Sequence, residues 1–395
     1  MLLHNCILLN TEKPVSITVA GAAITGISGE TAVTVAGDAT INCKGAMAFP
    51  GLINSHDHLD FNCFAPLGKK TYNNYTEWGH HIHTTCKEEI NAVLKIPQTL
   101  RTAWGIYKNL LAGVTTVVNH GEWLNINKPL IHIYQQSQNL HSVQFEKKWK
   151  WRLNSPFSVN KPCVIHCGEG TDKQSCAEID ELLAWNLLNR ALIGVHGVAM
   201  TAAQAKKFSG LVWCPESNKV LLNSHAAIAA LKLNTRLVFG TDATLTGNWN
   251  IWQHLRLARQ LKVVSDQELF EMVSSSAAKL WQLNTGQISK GRDADIIIAA
   301  TATGKTGWDD FYALNPPDIV LVVQQGNIRL FDDTLFDQLK HTQLIPKKIS
   351  RVMIDGACKW VAGDLPSLVK LIKTYNPAVQ IPVSACQTAK SCAHD

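Results

Sequence analysis

The chain has 395 residues, of which 46% are hydrophobic and 17% charged, with a formal net charge of +6. That is an ordinary globular composition, with enough apolar material for one large domain and a smaller one. The Lys and Arg residues come in ones and twos, which excludes a nucleic-acid groove, and no stretch approaches the ~20 apolar residues of a membrane span.

The opening "MLLHNCILLN" lacks the basic region and cleavage site of a signal peptide. The 11 cysteines are odd in number and contain no C-x-x-C pair, so they read as reduced thiols of a soluble cytoplasmic protein. Residues 1–50 are short β-type segments separated by turn residues, such as "PVSITVAGAAITGISG". A matching pattern returns in "GQISKGRDADIIIAA", "DIVLVVQQGNIRLF" and "RVMIDGACKWVAG". One small β-domain is therefore expected from residues 1–50 and 286–395, with residues 51–285 inserted between them.

The insert behaves differently. Buried strands ("GVTTVVNH", "KPCVIHCGEG", "ALIGVHG", "GLVWCPESN", "TRLVFGTDAT") alternate with helical stretches, which means a parallel sheet. Its length is near the ~250 residues of a (βα)8 TIM barrel. A doubly wound open sheet is the alternative, but no glycine-rich phosphate loop follows a first strand. The interval from His120 to His166 is too short for two whole βα units, which need roughly 60 residues. A helix is expected to be missing or reduced in the third or fourth unit. The segments "LHSVQF" and "WKWRLNS" are the candidates for strands three and four.

The strand ends carry the chemistry. In "GLINSHDHLDFNCF", His56 and His58 are two apart and share one face of a strand. Such a pair alone describes a polar strand end as well as two metal ligands. His166 ends "CVIH", Glu169 follows it, His196 ends "LIGVH" and Asp242 ends "LVFGTD". All stand at the C-terminal ends of parallel strands, where barrel enzymes build their sites.

With these stretches, and with "SSSAAKLWQL" leading to "GQISKGRDADIII", the chain resembles the amidohydrolase superfamily of metal-dependent hydrolases. Within it the chain is similar to the branch of guanine, cytosine and S-adenosylhomocysteine deaminases and chlorohydrolases. The resemblance implies a barrel flanked by a β-sandwich. It implies that His56, His58, His166 and Asp242 hold one divalent ion, Zn or Fe, whose water is the nucleophile. It further implies that Asp242 accepts the water's proton, that His196 orients the water or polarises the oxyanion, and that Glu169 shuttles protons. The implied reaction is hydrolytic deamination of a small aminated heterocycle. The competitors are a cyclic amidase or imidase, a hydrolytic dehalogenase, and a non-catalytic scaffold, which would be free to lose the ligand set.

Other features stand beside this pattern. Branches with two metals carry a carboxylated lysine after strand four, where Lys148 and Lys150 lie. Asp57, between the histidines, should point away from the ion by strand alternation, toward a capping or packing role. The segment "GKKTYNNYTEWGHHIH" offers Trp78 and one of His80, His81 and His83 for substrate contact. His120, Glu122 and Trp123 follow the second strand, and Arg152 and Asn154 the expected fourth. Aromatic and polar groups converging on one cavity suit a planar ring. The expected partner is a small molecule, with homo-oligomerisation left open.

Overall fold

The computed structural model describes residues 1–29, 39–68 and 70–386. Short strands open the chain: β1 (Leu2–Leu8), β2 (Pro14–Ala20), β3 (Ala23–Gly29), β4 (Thr40–Asn42) and β5 (Met47–Pro50). Parallel strands then follow: β6 (Leu52–Asp57), β7 (Val114–Asn119), β8 (His132–Tyr134), β9 (Gln138–Ser142), β10 (Cys163–Cys167), β11 (Leu192–His196), β12 (Gly210–Trp213) and β13 (Leu237–Phe239). The chain closes with β14 (Ile296–Ala299), β15 (Ile319–Gln324), β16 (Asn327–Asp332), β17 (Ile349–Ile354), β18 (Ala357–Ala362) and β19 (Ser384–Ala385).

The strands of both termini join in one 11-stranded sheet. The junction is the antiparallel pair of β5 and β14, with Phe49 opposite Ile297. Alternation sorts this sheet into two faces. Ala48, Ile296, Ile298, Leu321 and Val323 pack into a core with Leu3, Ile17 and Ile24. Phe49, Ile297, Val322 and Leu330 point the other way, into the core of the α/β region. Phe49 meets Phe311 and Trp252 edge to face, at 5.1 and 6.1 Å between ring centres. Phe49→Ala is expected to lower the unfolding free energy by about 3–5 kcal/mol, measured by urea denaturation.

The parallel strands form two sheets, β6-β7-β8 and β9-β10-β11-β12-β13. They adjoin where β13 ends: Thr241 N and Asp242 N both donate to His56 O, at 3.1 and 3.0 Å. The strands of β10 and β11 are buried throughout, as parallel strands covered on both faces must be. The shortening before His166 falls in two places. No helix lies between β7 and β8, and three residues separate β8 from β9.

This corrects the expected strands three and four. The third strand is His132–Tyr134, too short to show an alternating pattern, and the fourth is Gln138–Ser142. The segment "WKWRL" is a helix, Trp149–Leu153. Trp149 and Leu153 stand four apart and are both buried, which is helical spacing. A second correction concerns the cysteines. Cys358 and Cys386 form a disulfide, because β17 pairs with both β18 and β19 and brings their Cα atoms to 6.2 Å. Eight other described cysteines are free, and Cys392 lies outside the described residues. No helix among the described residues is long and apolar enough to cross a membrane.

A buried polar network fixes the end of β6. Asp57 does point away from its flanking histidines, toward the helix Gln98–Leu111. Lys108 Nζ donates to Asp57 Oδ2 at 2.9 Å, and neither side chain is more than 2% exposed. Asn109 Nδ2 donates to the same oxygen at 2.7 Å and Asn62 Nδ2 to Oδ1 at 2.8 Å. Removing one partner of such a pair leaves a buried charge uncompensated. Lys108→Met is therefore expected to cost about 3–5 kcal/mol of stability in a urea titration of the metal-free protein. A loss under about 1 kcal/mol would count against this account.

Candidate active site

His56 and His58 leave β6 on one face, their rings 5.0 Å apart and edge to face. His166, from β10, brings its Nε2 to 3.1 Å from His56 Nε2. Asp242 follows β13, with Oδ1 3.5 Å from His56 Nε2 and 3.4 Å from His58 Nε2. Its other oxygen, Oδ2, accepts from Ser217 Oγ at 2.8 Å and Thr246 Oγ1 at 3.0 Å. Two hydroxyls thus hold the carboxylate so that its free oxygen faces the imidazoles. Gly240 allows this approach, since a Cβ there would lie 2.7 Å from His56 Cβ.

His196 and Asp242 both have left-handed backbones, with φ of 72° and 58°. For residues other than glycine that conformation costs on the order of 1–3 kcal/mol and is retained where the surroundings enforce it. Asn218 Nδ2 donates to His196 Nδ1 at 3.0 Å, so the ring's proton sits on Nε2. That nitrogen lies 3.5 Å from Glu169 Oε1.

The electrostatics divide the two carboxyl groups. Burial pushes Glu169 well above the usual carboxylate range, and the charges of Asp242 and Glu178 add to it. Burial also opposes ionisation of Asp242, but a hydrogen bond from His56 and the fields of His58 and His56 overcome it and hold the group well below its ordinary value. Burial lowers His58 to about 4, helped by His56, and lowers His196 to about 3. His166 and His120 also fall well below the ordinary imidazole value, chiefly through burial. These rings are neutral near pH 7, with lone pairs available to a metal.

Glu169 is held from behind. Tyr75 N donates to Glu169 O at 3.0 Å, and Thr171 N to Asn73 O at 2.8 Å. Asn74 and Asp172, which cap the helices Tyr75–Thr85 and Lys173–Trp185, also bond each other. Glu178 Oε1 accepts from Gly168 N at 2.8 Å and its Oε2 from Tyr75 Oη at 3.2 Å. The helix that walls the cavity is thereby tied to the loop that carries Glu169.

The cavity has a volume of about 510 Å³. His58, His166, Glu169, His196 and Asp242 form its floor, and Phe61, Phe64, Trp78, Ile82, Phe145 and Leu245 its apolar walls. Trp78 lines it as expected while donating to Leu67 O at 2.9 Å. His80 and His83 reach the cavity, and His81 turns toward Tyr72.

Other residues singled out from the sequence lie elsewhere. Trp123 is 71% exposed and lies outside the cavity, because the segment after β7 is not folded back by a helix. His120 is buried against the histidines and lines a second cavity, with Glu122 and Arg152, instead of this one. Lys148 and Lys150 do not reach the site. Lys148 is exposed, and Lys150 pairs with Glu181 at 2.7 Å while lying over Trp185. The fourth-strand position belongs to His141, which lines both cavities and was not singled out from the sequence. Ser217 and Asn218 were also missed, although both stand in the quoted "WCPESN".

Two overlapping groups can hold a cation: His56, His58 and Asp242, and His56, His120 and His166. The donor set fits a divalent ion. Imidazoles and one carboxylate converge there, with His56 Nε2 3.1 Å from His166 Nε2 and 3.5 Å from Asp242 Oδ1.

A model of the amidohydrolase family matches residues 158–356, half of the chain. The chain is 28% identical over 170 residues to a 5-methylthioadenosine/S-adenosylhomocysteine deaminase of Pyrococcus abyssi, covering 38% of this chain and 40% of that protein. It is 22% identical over 325 residues to the protein of the same description from Thermococcus sibiricus, covering 67% of this chain and 77% of that one. Among solved structures it is similar to an adenosine deaminase from Xanthomonas campestris with bound zinc, at a TM-score of 0.70 and 16% identity, over 96% of this chain and 98% of that one. With the family match spanning the third histidine, the glutamate, the fourth histidine and the aspartate, the chain belongs to the amidohydrolase family.

Proposed function

We propose that this protein is a metal-dependent hydrolytic deaminase of small aminated heterocycles. The observation that carries the reading is the pairing of two carboxyls of opposite character, Glu169 and Asp242, on one cavity floor with His58, His166 and His196. In this reading the parallel strands β6 to β13 form a (βα)8 barrel that lacks the helices of its second and third units, where the sequence pointed to the third or fourth. Residues 1–50 and 286–395 are its flanking β-domain.

His56, His58, His166 and Asp242 would hold the ion, zinc or iron. When bound, such an ion acidifies water so that hydroxide is available near neutrality. Asp242 is ionised and takes the water's proton. Glu169 keeps its proton at pH values where an exposed glutamate has lost it, so it can protonate a ring nitrogen as the nucleophile adds. Glu169, now ionised, would take the remaining proton of the added hydroxyl and pass it to the amine, ammonia would leave as the carbonyl forms, and the proton held by Asp242 would return to Glu169. His196, its proton fixed on Nε2 by Asn218, donates toward the developing oxyanion. The apolar walls seat a planar ring and exclude water from it. No lysine or arginine lines the cavity among the described residues, so an uncharged, apolar ring substituent suits it better than a carboxylate or phosphate.

Glu169→Gln is expected to retain the metal and lose roughly 100- to 10,000-fold in turnover, because shape is kept and proton transfer is lost. Metal content by elemental analysis and rates by ammonia detection are the two readouts. Loss of metal, or near-normal rates, would refute the role of Glu169.

A panel of amino-purines, amino-pyrimidines, pterins and cyclic amides, with and without alkyl or aryl substituents, tests the reaction itself. Ammonia release from an aminated ring, faster for apolar-substituted members, is the expected outcome. Ring opening of cyclic amides without ammonia would make the protein a cyclic amidase instead.

A further inference from the structure

His120 is the first residue beyond β7, and its backbone N–H donates to Asp57 O at 2.9 Å. That bond sets the register of the two strand ends, so His120 stands beside His56 and His58 rather than beyond them. Its ring centre lies 4.4 Å from that of His166, 4.9 Å from His56 and 5.3 Å from His58. A nitrogen of His120 comes within 4.8 Å of the ligand nitrogens of both His56 and His166.

The ordinary explanations for a buried histidine do not cover it. His120 is 3% exposed and its Nδ1 has no hydrogen-bond partner among the described residues. A buried imidazole retained for structure is hydrogen-bonded, since an unmade bond costs about 1–3 kcal/mol. Substrate contact is not available either, because His120 does not line the cavity that holds Glu169 and His196. It borders instead a polar cavity of about 450 Å³ on the other side of His58 and His141. A desolvated imidazole with a free lone pair, packed against three metal-type ligands, has one remaining partner of suitable chemistry.

We propose that His120 is itself a ligand of the metal, so that the shell comprises His56, His58, His120, His166 and Asp242. This rests on the metal-binding part of the proposed function and adds a ligand from the second parallel strand. Glu122 and Arg152, in the polar cavity, then stand near the ion's far side and outside the substrate cavity.

The test uses the full chain, stripped of metal and reloaded with one equivalent of Zn²⁺ or Co²⁺. X-ray absorption of the zinc protein counts imidazole ligands directly. Four in the wild type and three in His120→Ala and His120→Gln are expected. The visible absorption of the cobalt protein should change in band position and intensity in both variants, while Glu122→Ala leaves it unchanged. Metal affinity of the His120 variants should fall by at least tenfold.

Three imidazoles in the wild type would overturn the assignment whatever the variants do, so a variant that failed to fold would not protect it. An unchanged cobalt spectrum in folded His120→Gln would overturn it as well. Two tightly bound equivalents per chain would overturn it by assigning His120 to a separate ion. No metal bound to the wild type would remove the metal reading itself, which is a different outcome from a metal bound by three histidines.

Discussion

The buried pair of Asp57 and Lys108 is the constraint on which the site depends. A strand end with a histidine on either side of an aspartate has two arrangements, related by a one-residue slip, and a slip would turn the imidazoles away from the cavity. The pair makes one arrangement far better than the other. Asp57 accepts from Lys108, Asn109 and Asn62, supplied by the helix Gln98–Leu111, which precedes β7, and by the turn that leaves β6. Asn54 extends the network to Thr241, donating to its hydroxyl at 2.8 Å and accepting from its N–H at 3.1 Å. Thr241 precedes Asp242. One buried set of hydrogen bonds therefore positions His56, His58 and Asp242 together, and in low dielectric an unmade member of such a set is costly.

The opposite wall is held by a different device. Helix caps that bond each other, Asn74 and Asp172, join the cavity wall to the Glu169 loop. Tyr75 serves both sides, with its N–H on Glu169 O and its hydroxyl on Glu178. The left-handed backbones at His196 and Asp242 cost about 1–3 kcal/mol each and aim both side chains inward. Hydrogen bonds from Asn218, Ser217 and Thr246 to those same side chains offset part of that cost.

Much of this could be read from the sequence, and the limits have physical causes. His56, His58, His166, Glu169, His196 and Asp242 stand out because each ends or follows an apolar strand, where a polar residue is conspicuous. The terminal strands were legible through their turns and alternation. The third and fourth strands were not, because three residues carry no period and "WKWRL" has both aromatic content and helical spacing. His141 was hidden in the same region. Trp123 was misplaced because the short interval from His120 to His166 shows that a helix is lost but not which segment loses it. Asp57 was correctly turned away from the ligands, but its partner Lys108 lies 51 residues on, inside a helix, and a lone lysine there reads as solvent-exposed. The disulfide joins residues whose proximity arises only from the order of β18, β17 and β19.

The division of labour between the two carboxyls follows from packing alone. Glu169 and Asp242 are both buried and border one cavity, so burial by itself would protonate both. What separates them is the company each keeps. Asp242 receives two hydroxyl protons on one oxygen and faces two imidazoles with the other. Glu169 faces His196 at 3.5 Å and otherwise feels the charges of Asp242 and Glu178. The ionised state of Asp242 thus helps to keep the proton on Glu169, and the same repulsion leaves one carboxyl ionised and the other protonated. A deaminase needs both at once, within reach of one ring, and among the described residues no lysine, arginine or further carboxylate stands in the walls above this floor.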